Sequence, residues 1–206
     1  MGHSGPTGAP DPAWKREQGE GAGVARAVEE ALPVFDFRAS HSRWIDASQD
    51  RVWAALTGLT FGQLSITRPL VAMRHVGSRS TPVDRNLFED GPVELVLSVP
   101  GEFAVGAVIA RPWRLRPARL TVGSMQRFVA FRDEGWVKYL VSFELAPGPD
   151  GVLLTTETRG VSTDPVSRRR FALYWAIIGR PSGLVRRDML RAVARAAEAG
   201  PTAKPA

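Results

Sequence analysis

The stretch that most limits what this chain can fold into is residues 164–198, DPVSRRRFALYWAIIGRPSGLVRRDMLRAVARAAE. Its opening spells a helix start. The Asp164 carboxylate can accept from first-turn amides that have no partner inside the helix, and Pro165 stands where a missing N–H costs nothing. Phe171, Leu173, Tyr174, Trp175, Ile177 and Ile178 follow. At about 100° per residue they spread over roughly half the circumference, so something concave is expected to grip this half-helix. Gly179, Pro181 and Gly183 come next. Pro181 lacks a donor and crowds the carbonyl one turn back, which predicts a kink or break. From Leu184 a second half-helix turns Val185, Met189, Ala192, Val193 and Ala196 inward, and Arg187, Arg191 and Arg195 outward.

The preceding chain reads mainly as strands. Residues 34–46 form a long one, with Phe35, Phe37, Ala39, His41, Arg43 and Ile45 on one face. Ser48 or Asp50 then caps a helix whose Val52, Trp53, Leu56 and Leu59 face a core, and a second short helix or irregular segment covers 61–73. A loop at 75–84 and a short strand at 87–90 are expected next. Residues 93–99 and 103–110 pair as a hairpin about Pro100-Gly101. Residues 125–132, 137–145 and 152–159 are read as further strands, the last two joined by the turn at 147–151. The expected fold class is α+β, a curved antiparallel sheet wrapped around a long C-terminal helix, with two short helices after the first strand. One domain over 34–198 is expected, preceded by a mostly disordered extension at 1–33 and followed by a disordered tail at 199–206. A short helical turn at 24–32 is closed by Pro33.

This order of elements, with RWIDASQDRVWAAL at 43–56, TTETRGVSTD at 155–164 and FALYWAIIGRPSGLVRRDML at 171–190, resembles the START-like, pollen-allergen-like SRPBCC superfamily, whose members include polyketide cyclase/dehydrase proteins. The resemblance covers residues 34–198 and implies the helix-grip fold. It also implies a deep, largely apolar cavity between sheet and long helix, holding a hydrophobic small molecule that is lipid- or polyketide-like. Some relatives are carriers and some are polyketide aromatases or cyclases. The function expected from it is ligand binding, as carrier or sensor. The alternative is a cyclase or aromatase using the same cavity with one or two acid–base residues.

Composition narrows the rest. A chain of 206 residues with 44% hydrophobic residues and 6 Trp can bury a sizeable core. It has no Cys, which excludes disulfides, thiolate metal sites and cysteine nucleophiles. The N-terminus carries no apolar signal-like region and the longest wholly apolar run, 171–178, is too short to span a membrane, so a cytoplasmic chain is expected. The net charge of +6 is unevenly placed: residues 165–206 hold 9 basic and 2 acidic side chains. Such a face can meet nucleic acid, anionic lipid or an acidic partner, or simply be solvated. Of the 27 basic residues 24 are Arg, a bias that GC-rich coding explains better than phosphate contact. Arg111, Arg114, Arg116 and Arg119 around Trp113 form a basic loop, sparser in aromatics than single-strand binders use, and nucleic acid is not the expected partner. No nucleotide-binding, nucleophile-elbow or zinc-protease motif is present, and no cofactor is expected.

Few residues are candidates for chemistry. His41 is the best lone acid or base, and Arg43 on the same face favours the neutral imidazole that a base requires. A single histidine in a strand is more often structural or exposed. His3 and His75 lie far away, and the three have no metal-ligand spacing. Glu157 and Arg159 share a strand face with Thr155, either as a polar pair orienting a ligand or as an ion pair. Tyr139 sits on an apolar strand face, where its hydroxyl needs a partner and can serve as a general acid. The ligand-binding walls are expected among Trp53, Phe103, Trp113, Phe128, Tyr139, Phe171, Tyr174, Trp175 and Ile178.

Overall fold

Alternation gives each strand two faces, and this chain covers both. In the computed structural model, which describes residues 22–65, 85–88, 91 and 93–199, helix α1 (Ala22–Ala31) comes first. Strand β1 (Phe37–Ile45), helix α2 (Gln49–Thr57) and a single 3-10 turn (Phe61–Gln63) follow. Strands β2 (Glu94–Val99), β3 (Phe103–Arg111) and β4 (Ala118–Leu120) lead to helix α3 (Met125–Ala130). Strands β5 (Val137–Gly148) and β6 (Gly151–Ser162) end at helix α4 (Pro165–Glu198). The six strands form one antiparallel, curved open sheet in the order β1-β6-β5-β3-β2, with β4 following β2 along the same side of β3. The long C-terminal helix packs on its concave face, an α+β helix-grip arrangement.

The concave core joins Ile45, Val141, Phe143, Leu145, Val152 and Leu154 of the sheet to Val52, Leu56 and Leu59 and to Met189 and Val193 of α4. A second core lies on the convex face, where Val105, Ala107, Ile109 and Leu140 meet Val24, Val28, Leu32, Val122 and Phe128. Helix α1 is thus part of the described core, and the expected turn at 24–32 is a ten-residue helix. Each fully buried aliphatic side chain of this kind contributes roughly 1.5–3 kcal/mol of transfer free energy.

Local chemistry explains where the elements stop. Strands β5 and β6 pair down to Gly148 and Gly151, closing a two-residue turn at Pro149-Asp150. Gly151 has φ of 156°, and a Cβ on it would lie 2.3 Å from the Ile45 carbonyl oxygen, so a side chain is excluded.

Three sequence expectations are corrected. Residues 125–132, read as a strand, begin with helix α3. The Ser124 hydroxyl accepts from the Arg127 amide at 3.2 Å and Phe128 is buried, a cap and anchor that outweigh alternation over so short a window. Helix α4 runs without a break through Pro181. The carbonyl that loses its donor there is that of Ile177, whose residue is 73% exposed, so water can serve it. Leu87 and Phe88, read as the start of a strand, form a turn held by the Phe88 amide donating to Asn86 Oδ1 at 2.7 Å. The expectations for 1–21, 66–84, 89–90 and 200–206 lie outside the described residues.

Candidate ligand-binding site

Sheet and helix do not meet everywhere. Beneath the second half of α4 a cavity of about 200 Å³ remains. Gly106, Val141 and Phe143 of the sheet form its floor, and Val185, Arg186 and Met189 of α4 its roof. Phe61, Leu64, Leu87, Phe88, Val93 and Leu95 close the sides. The helical period puts Val185 and Met189 on one stripe, and β5 alternation puts Val141 and Phe143 on one face. A wider groove of about 650 Å³ runs outside along the β2 edge and shares Phe88, Val93 and Leu95 with the cavity.

Among the described residues the lining carries one charge, Arg186. Its Nη2 donates to Thr158 Oγ1 at 3.0 Å. Burial pushes its pKa down to about 10, opposed by the nearby Tyr139, so it remains a cation at neutral pH. Thr158 pairs with Val141 across β5–β6, and Thr156 with Phe143, which sets both threonines beside the cavity floor. The Thr156 hydroxyl is buried and has no hydrogen-bond partner among the described residues. His41 pairs with Thr156 on the other side, and its Nε2 is also buried without a partner among the described residues. A Cβ on Gly183 would lie 3.2 Å from that nitrogen, so the backbone of α4 crosses directly over the imidazole. Arg186, Thr158, Thr156 and His41 therefore make a polar flank under one stretch of helix, beside an apolar chamber.

The sequence candidates fall into separate groups. Phe171 and Trp175 meet Phe37, and Tyr174 meets Phe171, in an aromatic plug under the first half of α4, with Phe37–Phe171 centroids 4.5 Å apart and Phe37–Trp175 4.9 Å. Tyr139 joins it at 6.3 Å from Phe37 and Trp113 at 6.4 Å from Phe171. Ile178 is half-buried, while Leu173 and Ile177 are about three-quarters exposed, so the sheet grips one side of this half-helix only. Trp53 packs against the concave core. Phe103 and Phe128 lie in the convex core, across the sheet from the cavity.

Glu157 and Arg159 also occupy the convex face. Glu157 accepts from Arg38 Nη2 at 2.6 Å and pairs with Arg159, while Ser42 and Thr155 hydroxyls lie 2.9 Å apart alongside. The pair is an ion pair of the outer surface. His41 and Tyr139, by strand alternation, share the concave face. In the basic loop, Arg111 covers the Trp136 ring at 4.0 Å, which accounts for one of its four arginines structurally. Arg187, Arg191 and Arg195 are exposed as expected. No described helix is long and apolar enough to cross a membrane. The described residues hold no cluster of His, Asp and Glu suited to a metal.

Arg186 was not singled out from the sequence, although a signal exists. It falls three residues before Met189 and seven before Val193, on the inward stripe, whereas Arg187, Arg191 and Arg195 follow the outward one.

No protein-family model matches the chain, and no curated protein matches it either. Among solved structures, the Mll3558 protein from Rhizobium loti is 19% identical, with 78% of this chain and 96% of that one covered, at a TM-score of 0.39. DynU16, a putative protein in the dynemicin biosynthetic locus, is 18% identical over 80% of this chain and 48% of its own, at 0.36. The di-domain ARO/CYC StfQ from the steffimycin biosynthetic pathway is 10% identical over 79% and 51%, at 0.39. All three scores are low, and the fold stands on the sheet and helix described above.

Proposed function

We propose that this chain is a helix-grip protein of the SRPBCC, START-like kind that binds a hydrophobic small molecule, lipid- or polyketide-like, as a carrier or sensor. The observation that carries this reading is the chamber between α4 and the sheet, apolar on nearly every side and roofed by Val185 and Met189. Small-molecule sites have this form, concave and apolar with a few placed polar groups. The test is a thermal-shift screen against a panel of apolar compounds, with native mass spectrometry of the purified protein. We expect at least one apolar ligand to raise the melting temperature of the wild type, and Val185→Phe, which fills the chamber from its roof, to abolish that shift while remaining folded. A wild type that responds to no member of the panel and carries no bound compound would sink the reading.

A cyclase- or aromatase-type reaction in the same chamber is a second reading, favoured by His41 Nε2, which lies under α4 with no partner among the described residues. Of the four residues weighed for acid–base work, Glu157 and Arg159 point to the other face, which leaves His41 and Tyr139. Binding without turnover in the presence of a folded polyketide chain rejects it.

A further inference from the structure

The polar flank says what kind of ligand the chamber suits. A guanidinium has five N–H donors and no acceptor, arranged as a fork that matches a carboxylate. Arg186 uses one nitrogen on Thr158 Oγ1, and it forms no ion pair among the described residues. A cation enclosed beside apolar walls is costly unless something neutralises it. Two residues from Thr158 on the same strand face, Thr156 is 2% exposed and its hydroxyl has no hydrogen-bond partner among the described residues. Opposite this end the described lining offers Phe61, Leu64, Phe88 and Phe143, with no charge among them.

Resting on the binding reading above, we propose that the chamber takes an apolar carboxylate, whose oxygens are held by Arg186 while its hydrocarbon or ring body fills the space over Val141 and Phe143. The carboxylate supplies a negative partner that the described residues do not, and bidentate pairing fixes the direction in which the body points. The 200 Å³ chamber equals the liquid volume of roughly seven waters, which suits a body the size of octanoate.

Isothermal titration of octanoate, 1-octanol and octylamine into the full chain at neutral pH tests this, with the variants Arg186→Met and Arg186→Lys. Octanoate is expected to bind wild type about tenfold or more tightly than octanol, the scale of a charge-assisted hydrogen bond. Arg186→Met should bring octanoate down to the octanol affinity and leave octanol unchanged, and Arg186→Lys should fall between. Equal affinity for acid and alcohol in wild type, or a preference for the amine, overturns the proposal and spares the binding reading. So does an Arg186→Met variant that weakens acid and alcohol alike, because Arg186 would then act on the shape of the chamber. If none of the three ligands binds, the proposal falls, and the panel screen with native mass spectrometry decides the binding reading by itself. Circular dichroism checks that each variant folds, and where neither does, the wild-type comparison of acid, alcohol and amine decides.

Discussion

Asp164 shows how far single side chains reach here. One carboxylate oxygen accepts from the Ser167 amide at 2.9 Å, and the other accepts from the Gly135 amide at 2.6 Å, tying the start of α4 to the turn before β5. Bonds from the Ser167 side chain and backbone, with those from Gly135 and Val166, hold its pKa far below the usual carboxylate range. Because the folded value is depressed, the stabilisation is present above the unfolded value of about 3.9 and is lost as pH falls below it. Asp164→Ala should therefore cost about 1–2 kcal/mol in urea unfolding at pH 7. The gap between variant and wild type should narrow steadily below about pH 4. A gap that is the same at both pH values would mean that the charge contributes nothing. The cap was legible in the sequence because DPVS is a local signal. The fate of Glu157 was not, because alternation says that Glu157 and Arg159 share a face without saying which one. Only the pairing of β6 with β1, which sets Glu157 beside Arg38, decides it.

Among the elements, α4 was the most legible and also held the least expected detail. Its N-cap, its span and its inward stripe of Met189, Ala192 and Val193 are all present. The missing break at Pro181 reflects context, since tertiary contacts on both sides hold the helix and the orphaned carbonyl faces water. Pro181→Ala should then restore a donor without altering the path of the chain, raising stability by about 1–3 kcal/mol. Thermal unfolding checks this, and a variant no more stable than wild type would show that the proline geometry is needed. Helix α3 escaped the sequence reading because residues 125–132 are too short for period to separate strand from helix. Strands β3, β5 and β6 were legible through alternation and the Pro149-Asp150 turn, whereas β4, three residues long and set by its pairing with β3, left no pattern to read.

Seen whole, the molecule separates two jobs along one helix. Fold class and the face of α4 could be read from the sequence, but the place of the cavity could not. The conspicuous aromatics Phe171, Tyr174 and Trp175 fill their end of the concave face as a plug, and the chamber lies at the other end, walled by ordinary aliphatic and phenylalanine side chains. Empty space is a remainder left by many contacts, and no single residue announces it. The unbroken run of α4 through Pro181 has a mechanical consequence. A 34-residue helix is a strut of about 51 Å, with the plug as fulcrum under one arm and Arg186 on the other, about 22 Å from Phe171. Phe171→Ala leaves every wall of the chamber chemically intact, yet it should tilt the strut and change octanoate affinity several-fold, read by the same titration. Unchanged affinity in a folded Phe171→Ala variant would show that the arm bends and that each end of the helix is sprung on its own.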